Sequence, residues 1–238
     1  MFKNLIERTA YKDWKAALFL FALIGCVHFI ATFLKSSPLN LFGMILYALA
    51  TLIFVRKKAW NEIRIKKPTF SVYILYGSLL TVLFVLVSYT IHYYIVDFSS
   101  SNFMALVAKQ QIGFGVITKY NAWQYFPIAA IGFCALSPLT EEPFFRGLLM
   151  KSFENKFSAL SANLLQAFLF SFVHLAYFWL IEFNLGIIIP TFLGMPIGIL
   201  FGWMVQKTDS LISSIILHVV HNFTMAFLVF ALIIPAIG

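Results

Sequence analysis

The stretch FSVYILYGSLLTVLFVLVSYTIHYYI, residues 70–95, contains no Asp, Glu, Lys or Arg. At a rise of about 1.5 Å per residue, a helix of this length crosses the roughly 30 Å hydrocarbon core of a bilayer. Two further long apolar runs extend from Trp14 to Phe33 and from Leu211 to Ile234. Runs of this length are typical of membrane-spanning helices, so they predict an integral membrane protein.

The composition of the whole chain agrees with this prediction. Of its 238 residues, 61% are hydrophobic and 11% are charged, whereas soluble domains carry about 25% charged residues. A soluble fold of this size would therefore have too few polar side chains to cover its surface.

Hydropathy predicts an all-α, polytopic transmembrane helix bundle with seven spans. The predicted spans are residues 15–34, 40–55, 70–95, 126–150, 159–181, 185–206 and 210–235. If the last stretch breaks into two shorter helices, the count becomes eight. Residues 99–123 are less apolar and are interpreted as an irregular or interfacial connector. We expect residues 1–238 to form a single membrane domain, with scaffold spans in 1–125 and the polar residues in the spans of 126–238.

The positive charges predict the orientation of the bundle. Lys and Arg are concentrated in the amino-terminal tail and in the connections after the second, fourth and sixth predicted spans. Since such connections face the cytoplasm, we expect a multi-pass plasma membrane protein with a cytoplasmic amino terminus. The net charge of +8 is then a topology signal and does not indicate a nucleic-acid partner. The cluster from Arg56 to Lys67 is also placed to contact anionic lipid head groups.

Ionisable residues are concentrated in the later spans, where lipid disfavours them. They are Glu141, Glu142, Arg146, His174, His218 and His221, accompanied by Asn222. Such groups usually face the bundle interior and mark a functional site. In the first three spans, apart from Lys15 at the edge of the first, the only histidines or charged residues are His28 and His92. Isolated histidines of this kind are typical of packed or interfacial positions.

Helix spacing predicts different roles for the two adjacent glutamates. Glu142 and Arg146 are four residues apart, so they share a helix face and can form an ion pair. Glu141 is rotated by about 100° from Glu142, which leaves it free to face a cavity as a general base. The alternative is that both acids only pair with cations.

His218 and Asn222 are also four residues apart and can present donors to one oxygen. His221 ranks below His218, because its position can point to a neighbouring helix. His174 alone would be typical of a core histidine. Because other polar residues also occur in the later spans, we interpret it as a functional residue. By helix rise, Glu141, His174 and His218 reach similar depths in the bilayer.

Three motifs now stand in order along the chain: Glu141-Glu142-Pro-Phe-Phe-Arg146, Phe170-Ser-Phe-Val-His174 and His218-Val-Val-His-Asn222. This set is similar to the Glu-Glu-x-x-x-Arg, Phe-x-x-x-His and His-x-x-x-Asn motifs of the CPBP membrane proteases, also called the CAAX protease and bacteriocin-processing, or Abi, family. The resemblance covers residues 126–225, and the first three spans match only as generic membrane helices.

The resemblance implies a metal-independent, glutamate-dependent intramembrane endopeptidase whose catalytic core is residues 126–238. By this analogy, Glu141 with His174 activates a water, and His218 with Asn222 stabilises the oxyanion. Glu142 and Arg146 hold the site together, and no cofactor is needed. The implied partners are the lipid bilayer and a peptide or membrane-protein substrate: a prenylated CAAX-like tail, a bacterial peptide precursor or a membrane regulator. No pattern indicates an oligomeric state.

Other functions remain as alternatives. Glu141, His174 and His218 could hold zinc, although the chain has no His-Glu-x-x-His motif. A bacteriocin self-immunity protein or a non-catalytic membrane scaffold could share the fold. Intramembrane Glu and His residues also build proton relays in transporters, but the paired broken helices of many transporters are not predicted here.

Small residues predict one close helix contact. Gly194, Gly198 and Gly202 recur every four residues in the sixth predicted span. Such a ridge lets two helices approach closely, so we interpret it as a packing surface.

Overall fold

The structure is a computed structural model that describes residues 13–34, 37–54, 62–68, 71–94, 120–181 and 194–237, together with 108 and 118. Within these ranges the chain is almost entirely helical and contains no strand. The predicted all-α class is therefore confirmed for this part of the chain. Most of the predicted connector 99–123 lies outside the described residues.

The described ranges form seven helices. They are α1 (Trp14–Phe33), α2 (Ser37–Phe54), α3 (Ser71–Tyr94), α4 (Ala122–Glu154), α5 (Ala159–Ile181), α6 (Met195–Thr208) and α7, which begins at Leu211 and ends at Ile237. The predicted fourth span, 126–150, lies within α4, which extends beyond it at both ends. The predicted sixth span, 185–206, is described only from residue 194 onward. The last helix is continuous, so the break that would have given an eighth span is absent from it.

Three helices of the described chain are long and apolar enough to cross a membrane: Val72–Ile91, Ala122–Glu154 and Leu211–Ala236. Shorter apolar helices cover Trp14–Val27 and Ala159–His174. The count of seven spans stays a prediction. On α3, Leu75, Leu79 and Leu83 are each more than half exposed, as expected for a surface that faces lipid.

Two π-helical segments interrupt the α-helical hydrogen-bond pattern of α4. The segments Ala130–Leu136 and Pro143–Leu149 are π-helical, and they flank an α-helical turn, Ser137–Glu142. Pro138 follows the first segment closely and Pro143 begins the second. Proline lacks the N–H that the regular ladder needs, and single π-helical turns are frequent at functional sites. Pro143 therefore begins a segment in which the helical turn is wider than in an α-helix.

Helix α4 lies at the centre of the bundle and contacts α1, α2, α5, α6 and α7, while α3 packs on α6 and α7. Its residues Phe144 and Phe145 are fully buried. The ring centroid of Phe144 lies 4.8 Å from that of Tyr47 in α2, and that of Phe145 lies 5.0 Å from that of Phe170 in α5. Aromatic packing therefore fixes α4 between its neighbours and places residues 137–146 in the interior.

The glycine ridge packs α6 closely against α5. A Cβ atom on Gly198 would lie 3.3 Å from the Cβ of Ala167, and one on Gly202 would lie 2.0 Å from Oδ1 of Asn163. Asn163 also donates through Nδ2 to the carbonyl of Ile199 at 3.0 Å. The predicted packing role is confirmed for Gly198 and Gly202, whereas Gly194 precedes the helix as its N-cap residue.

One end of the bundle is closed by an ion-pair cluster, here called the end clasp: Arg64, Lys66, Glu154 and Asp209. Arg64 donates through Nη2 to Glu154 Oε2 at 2.9 Å and through Nε to Asp209 Oδ1 at 3.0 Å. Lys66 also pairs with Asp209. Both Arg64 (φ 66°) and Asp209 (φ 51°) have left-handed backbone conformations.

The end clasp brings together the connections that follow α2, α4 and α6. A backbone hydrogen bond from Leu211 N to the Arg64 carbonyl, at 2.8 Å, reinforces the contact. These connections therefore lie at one end of the bundle, as the predicted alternation of spans requires. The side of the membrane on which this end lies stays a prediction.

Candidate active site

Glu142 is the centre of a buried polar network that joins α4 to α7. Its Oε1 accepts from Arg146 Nη1 at 2.7 Å and lies 2.7 Å from His218 Nδ1, and its Oε2 accepts from the Ser214 hydroxyl. The side chains of Glu142 and Arg146 are both 0% exposed. The predicted Glu142–Arg146 pair is present. The network also contains two donors from α7, so both carboxylate oxygens are engaged.

The Arg146 guanidinium is sandwiched by aromatic rings of two other helices. Its Cζ lies 4.3 Å from the ring centroid of Phe170 in α5 and 5.3 Å from that of Phe201 in α6. Its Nε and Nη2 have no hydrogen-bond partner among the described residues. One carboxylate and two ring faces therefore compensate this buried charge, in line with the attraction between cations and aromatic rings.

Glu141 differs from its neighbour in its hydrogen bonds, although it too is buried. Its Oε1 accepts from the Ser137 hydroxyl at 2.6 Å. Its Oε2 is buried and has no hydrogen-bond partner in the part of the chain that the structure describes. Of the two glutamates, Glu141 is therefore the one with an acceptor oxygen left for another molecule.

His218 has one of its two ring nitrogens committed to Glu142. A carboxylate paired with Arg146 is ionised and can only accept, so Nδ1 of His218 carries a hydrogen. The remaining nitrogen, Nε2, then offers a lone pair in the neutral ring and a hydrogen in the imidazolium. An oxyanion donor role for His218 thus requires the protonated ring, a condition that helix spacing alone did not predict.

Asn222 is bound to α4 at the first π-helical segment. Its Nδ2 donates to the Phe133 carbonyl at 2.8 Å, and its Oδ1 lies 3.0 Å from Nδ1 of His221. In this segment Ser137 N donates to the Gly132 carbonyl, five residues back. The carbonyl of Phe133 would correspondingly face Pro138, which has no N–H.

Asn222 thus replaces the donor that Pro138 lacks. Each of the two predicted donors, His218 and Asn222, already has one partner, and their convergence on one oxygen stays a prediction. The amide of Asn222 retains a second hydrogen for another acceptor.

His174 lies on α5, where its ring packs on Phe170 with the centroids 4.5 Å apart. Its Nδ1 is 2.8 Å from the Phe170 carbonyl, which can only accept, so Nδ1 carries a hydrogen and the neutral ring has its lone pair on Nε2. The ring of Phe170 also lies 5.9 Å from that of His218. The ring of Phe170 therefore lies close to His174, His218 and Arg146, so the three motifs meet at this ring.

Within the described residues, no group of three or more His, Cys, Asp or Glu side chains is placed to hold a metal ion. The zinc alternative at Glu141, His174 and His218 thus has no preformed ligand set in this part of the chain. The expectation that no cofactor is needed stays a prediction.

Two serines of the site were missed from the sequence. Ser137 precedes Glu141 by four residues, and Ser214 precedes His218 by four. Helix spacing could have found both, because residues four apart share a face. Serine is common in helices, however, and its hydroxyl usually bonds the helix backbone, so spacing alone gave no reason to select them.

The site lies in the part of the chain that matches a known family. A family model described as type II CAAX prenyl endopeptidase, Rce1-like, matches residues 121–224. This match confirms the resemblance of the three motifs to the CPBP/CAAX protease family. The family is one of proteases, and together with the apolar helices it indicates a membrane protein. No curated protein and no solved structure gave a significant match to the chain.

Proposed function

From the match to the CAAX protease family, we propose that the protein is an intramembrane endopeptidase in which Glu141 activates the attacking water. One contrast carries this proposal. Oε2 of Glu141 is buried without a hydrogen-bond partner among the described residues, whereas both oxygens of Glu142 are engaged. A general base needs a free lone pair within reach of the proton that it removes.

The proposed reaction is the addition of water to a peptide carbonyl. Glu141 removes a proton from the water as its oxygen bonds to the carbonyl carbon, which gives a tetrahedral oxyanion. The C–N bond then breaks, the proton passes from Glu141 to the leaving nitrogen, and a carboxylic acid and an amine are released. His174 would orient the water through Nε2, because its Nδ1 is bound to the Phe170 carbonyl.

His218 and Asn222 are the proposed donors to the oxyanion. They lie one turn apart on α7, and both are buried. His218 would donate from Nε2 as an imidazolium, whose charge the adjacent Glu142 offsets. Asn222 would use its second amide hydrogen. Donors held in a water-poor interior stabilise a developing negative charge more than donors in water do.

The proposed substrate is a peptide or membrane protein that reaches the site from the membrane. It could be a prenylated CAAX-like tail, a bacterial peptide precursor or a membrane regulator. The reaction as proposed needs no cofactor, and the protein is proposed to span the plasma membrane with a cytoplasmic amino terminus. The family match supports the proposed reaction, and the distribution of Lys and Arg supports the proposed orientation.

Glu141→Gln tests the catalytic assignment, because it keeps the size of the side chain and removes the base. We expect a loss of about 10²- to 10⁴-fold in the rate of cleavage, measured with purified protein on an internally quenched farnesylated CAAX peptide. Glu154→Gln is the matched control, since it removes a carboxylate of α4 outside the site. An unprenylated copy of the peptide separates recognition of the lipid from recognition of the chain.

Undiminished cleavage by Glu141→Gln, with the variant accumulating normally in membranes, would contradict the assignment of Glu141 as the catalytic base. A bacteriocin self-immunity or scaffold role without catalysis predicts a second outcome: the wild type cleaves neither peptide, and the variant keeps the cellular phenotype. Retained activity of the wild type in a chelator would favour metal-independent hydrolysis.

A further inference from the structure

Serine and threonine hydroxyls in the described helices mostly bond the backbone of their own helix. This holds for Thr51, Thr81, Thr90, Thr140, Ser152, Thr208 and Thr224. Each donates to a carbonyl three or four residues back, which is the usual pattern. Ser137 and Ser214 depart from it, because their hydroxyls donate to Glu141 and Glu142 respectively.

From this departure we infer that Ser137 is a positioning residue for Glu141, an inference that rests on the proposed function. The Ser137 hydroxyl lies 2.6 Å from Oε1 of Glu141. Ser137 is 6% exposed and Glu141 is 9% exposed. A short hydrogen bond between two buried groups fixes the rotation of the carboxylate. With Oε1 held by the hydroxyl, Oε2 is the oxygen presented to the water.

Ser137 reaches Glu141 because of its place in α4. It is the first residue of the α-helical turn Ser137–Glu142, directly after the π-helical segment. In that turn the two residues are four apart and share a helix face. Thr140, on the same turn, bonds the carbonyls of Leu136 and Ser137, so proximity alone does not direct a hydroxyl to the carboxylate.

Other charged and titratable groups surround Glu141 without bonding it. From α2, Tyr47 is close enough to interact with it electrostatically, and Arg146 does so from α4 itself. From α7, Nδ1 of His218 is bound to Glu142 and Nδ1 of His221 to Asn222. Within the described residues, Ser137 is therefore the one hydrogen-bond donor to Glu141.

A hydrogen bond to one oxygen of a carboxylate restricts the rotation of the whole group. Without the Ser137 hydroxyl, the Glu141 carboxylate could rotate, and Oε2 would no longer be held toward the water. Ser137 should thus act on the chemical step and leave substrate binding unchanged, so its loss should lower kcat and spare KM. A general loss of stability would not be reversed by another residue that carries a hydroxyl.

The test compares kcat and KM of the full-length protein on the farnesylated CAAX peptide. Ser137→Ala should lower kcat by about 10-fold, as expected for a lost hydrogen bond to a charged group. Its KM should stay that of the wild type, because the hydroxyl is proposed to orient the base and not to bind substrate. Ser137→Thr, which keeps the hydroxyl, should restore kcat.

Ser152→Ala is the matched control, because Ser152 is a buried serine of α4 whose hydroxyl bonds the Leu149 carbonyl. Its kcat and KM should both equal those of the wild type. If Ser137→Ala does not accumulate, Ser137→Cys replaces it, since a thiol of similar size is a weak donor.

An undiminished kcat in Ser137→Ala, or a Ser137→Thr variant no better than Ser137→Ala, would overturn the inference. Glu141→Gln measured in parallel separates a failure of the proposed function from a failure of the positioning role of Ser137. If Glu141→Gln remains active, the proposed function fails. If it is inactive and Ser137→Ala behaves as the wild type, only the positioning role fails.

Discussion

Two ion-pair clusters join distant parts of this chain, and they differ in burial. In the Glu142 network the carboxylate and the guanidinium are 0% exposed, whereas in the end clasp Asp209 is 55% exposed. Both clusters use an arginine and a carboxylate, but water compensates the charges only in the end clasp. A buried pair is weak support for stability, because desolvation offsets much of the attraction. The Glu142 network is therefore better explained by its place beside Glu141 than by stability.

Removing one charge from the Glu142 network should have the largest effect on stability. Arg146→Met leaves the buried Glu142 without its arginine partner, which should lower the free energy of unfolding by about 3–5 kcal/mol. Thermal unfolding in detergent measures the change. The double variant Glu142→Gln with Arg146→Met leaves no uncompensated charge and should recover part of the loss. If Arg146→Met unfolds at the same temperature as the wild type, burial does not make the Glu142 network energetically different from the end clasp.

An uncharged contact between the same two helices should have an intermediate effect. Asn222→Leu leaves the Phe133 carbonyl without the donor that Pro138 cannot supply, at an expected cost of about 1–3 kcal/mol. The unfolding temperature measures this loss independently of catalysis. Thr224→Val is a suitable control, since Thr224 on α7 bonds only the Val220 carbonyl in the described structure. An equal loss in both variants would contradict the role of Asn222 as the donor that replaces the missing N–H of Pro138.

The end clasp should give the smallest effect, and the effect should depend on pH. Partial burial acts to raise the pKa of Asp209, but the hydrogen bonds and charges of Lys66 and Arg64 outweigh it and lower that pKa below its ordinary value. Asp209 therefore stabilises the fold above the ordinary pKa of an aspartate, about 3.9. This contribution is lost as the pH falls through the lowered value.

At neutral pH, Asp209→Asn should destabilise the protein by about 1 kcal/mol or less, the range of exposed ion pairs. The difference in unfolding temperature between wild type and variant should shrink as the pH falls below about 4, and it should also shrink in high salt. A difference that stays constant over this pH range would show that Asp209 acts through something other than its charge.

Local patterns predicted the parts of the structure that depend on neighbours in the chain. The described bounds of α1 and α3 differ from the predicted spans by a single residue at each end, because long runs of apolar residues give a strong hydropathy signal. The Glu142–Arg146 pair follows from the four-residue period of a helix. Close packing at Gly198 and Gly202 follows from the same period.

Contacts between helices could not be predicted in this way. The bond from His218 to Glu142 joins residues 76 positions apart, and it depends on how α4 and α7 pack. The π-helical segments of α4 change which residues face α7, and hydropathy carries no signal for such a change. The partner of Asn222 is a backbone carbonyl, a group that every residue has. The catalytic roles of Glu141, His174, His218 and Asn222 stay predictions.

The end clasp has a consequence for determining the topology of the protein. Because Arg64 binds both Glu154 and Asp209, the connections after α2, α4 and α6 are on the same side of any bilayer that the bundle spans. A single reporter then fixes the side of all three. Lys207→Cys, at an exposed position next to the clasp, would serve for labelling with a membrane-impermeant thiol reagent in intact and in opened cells.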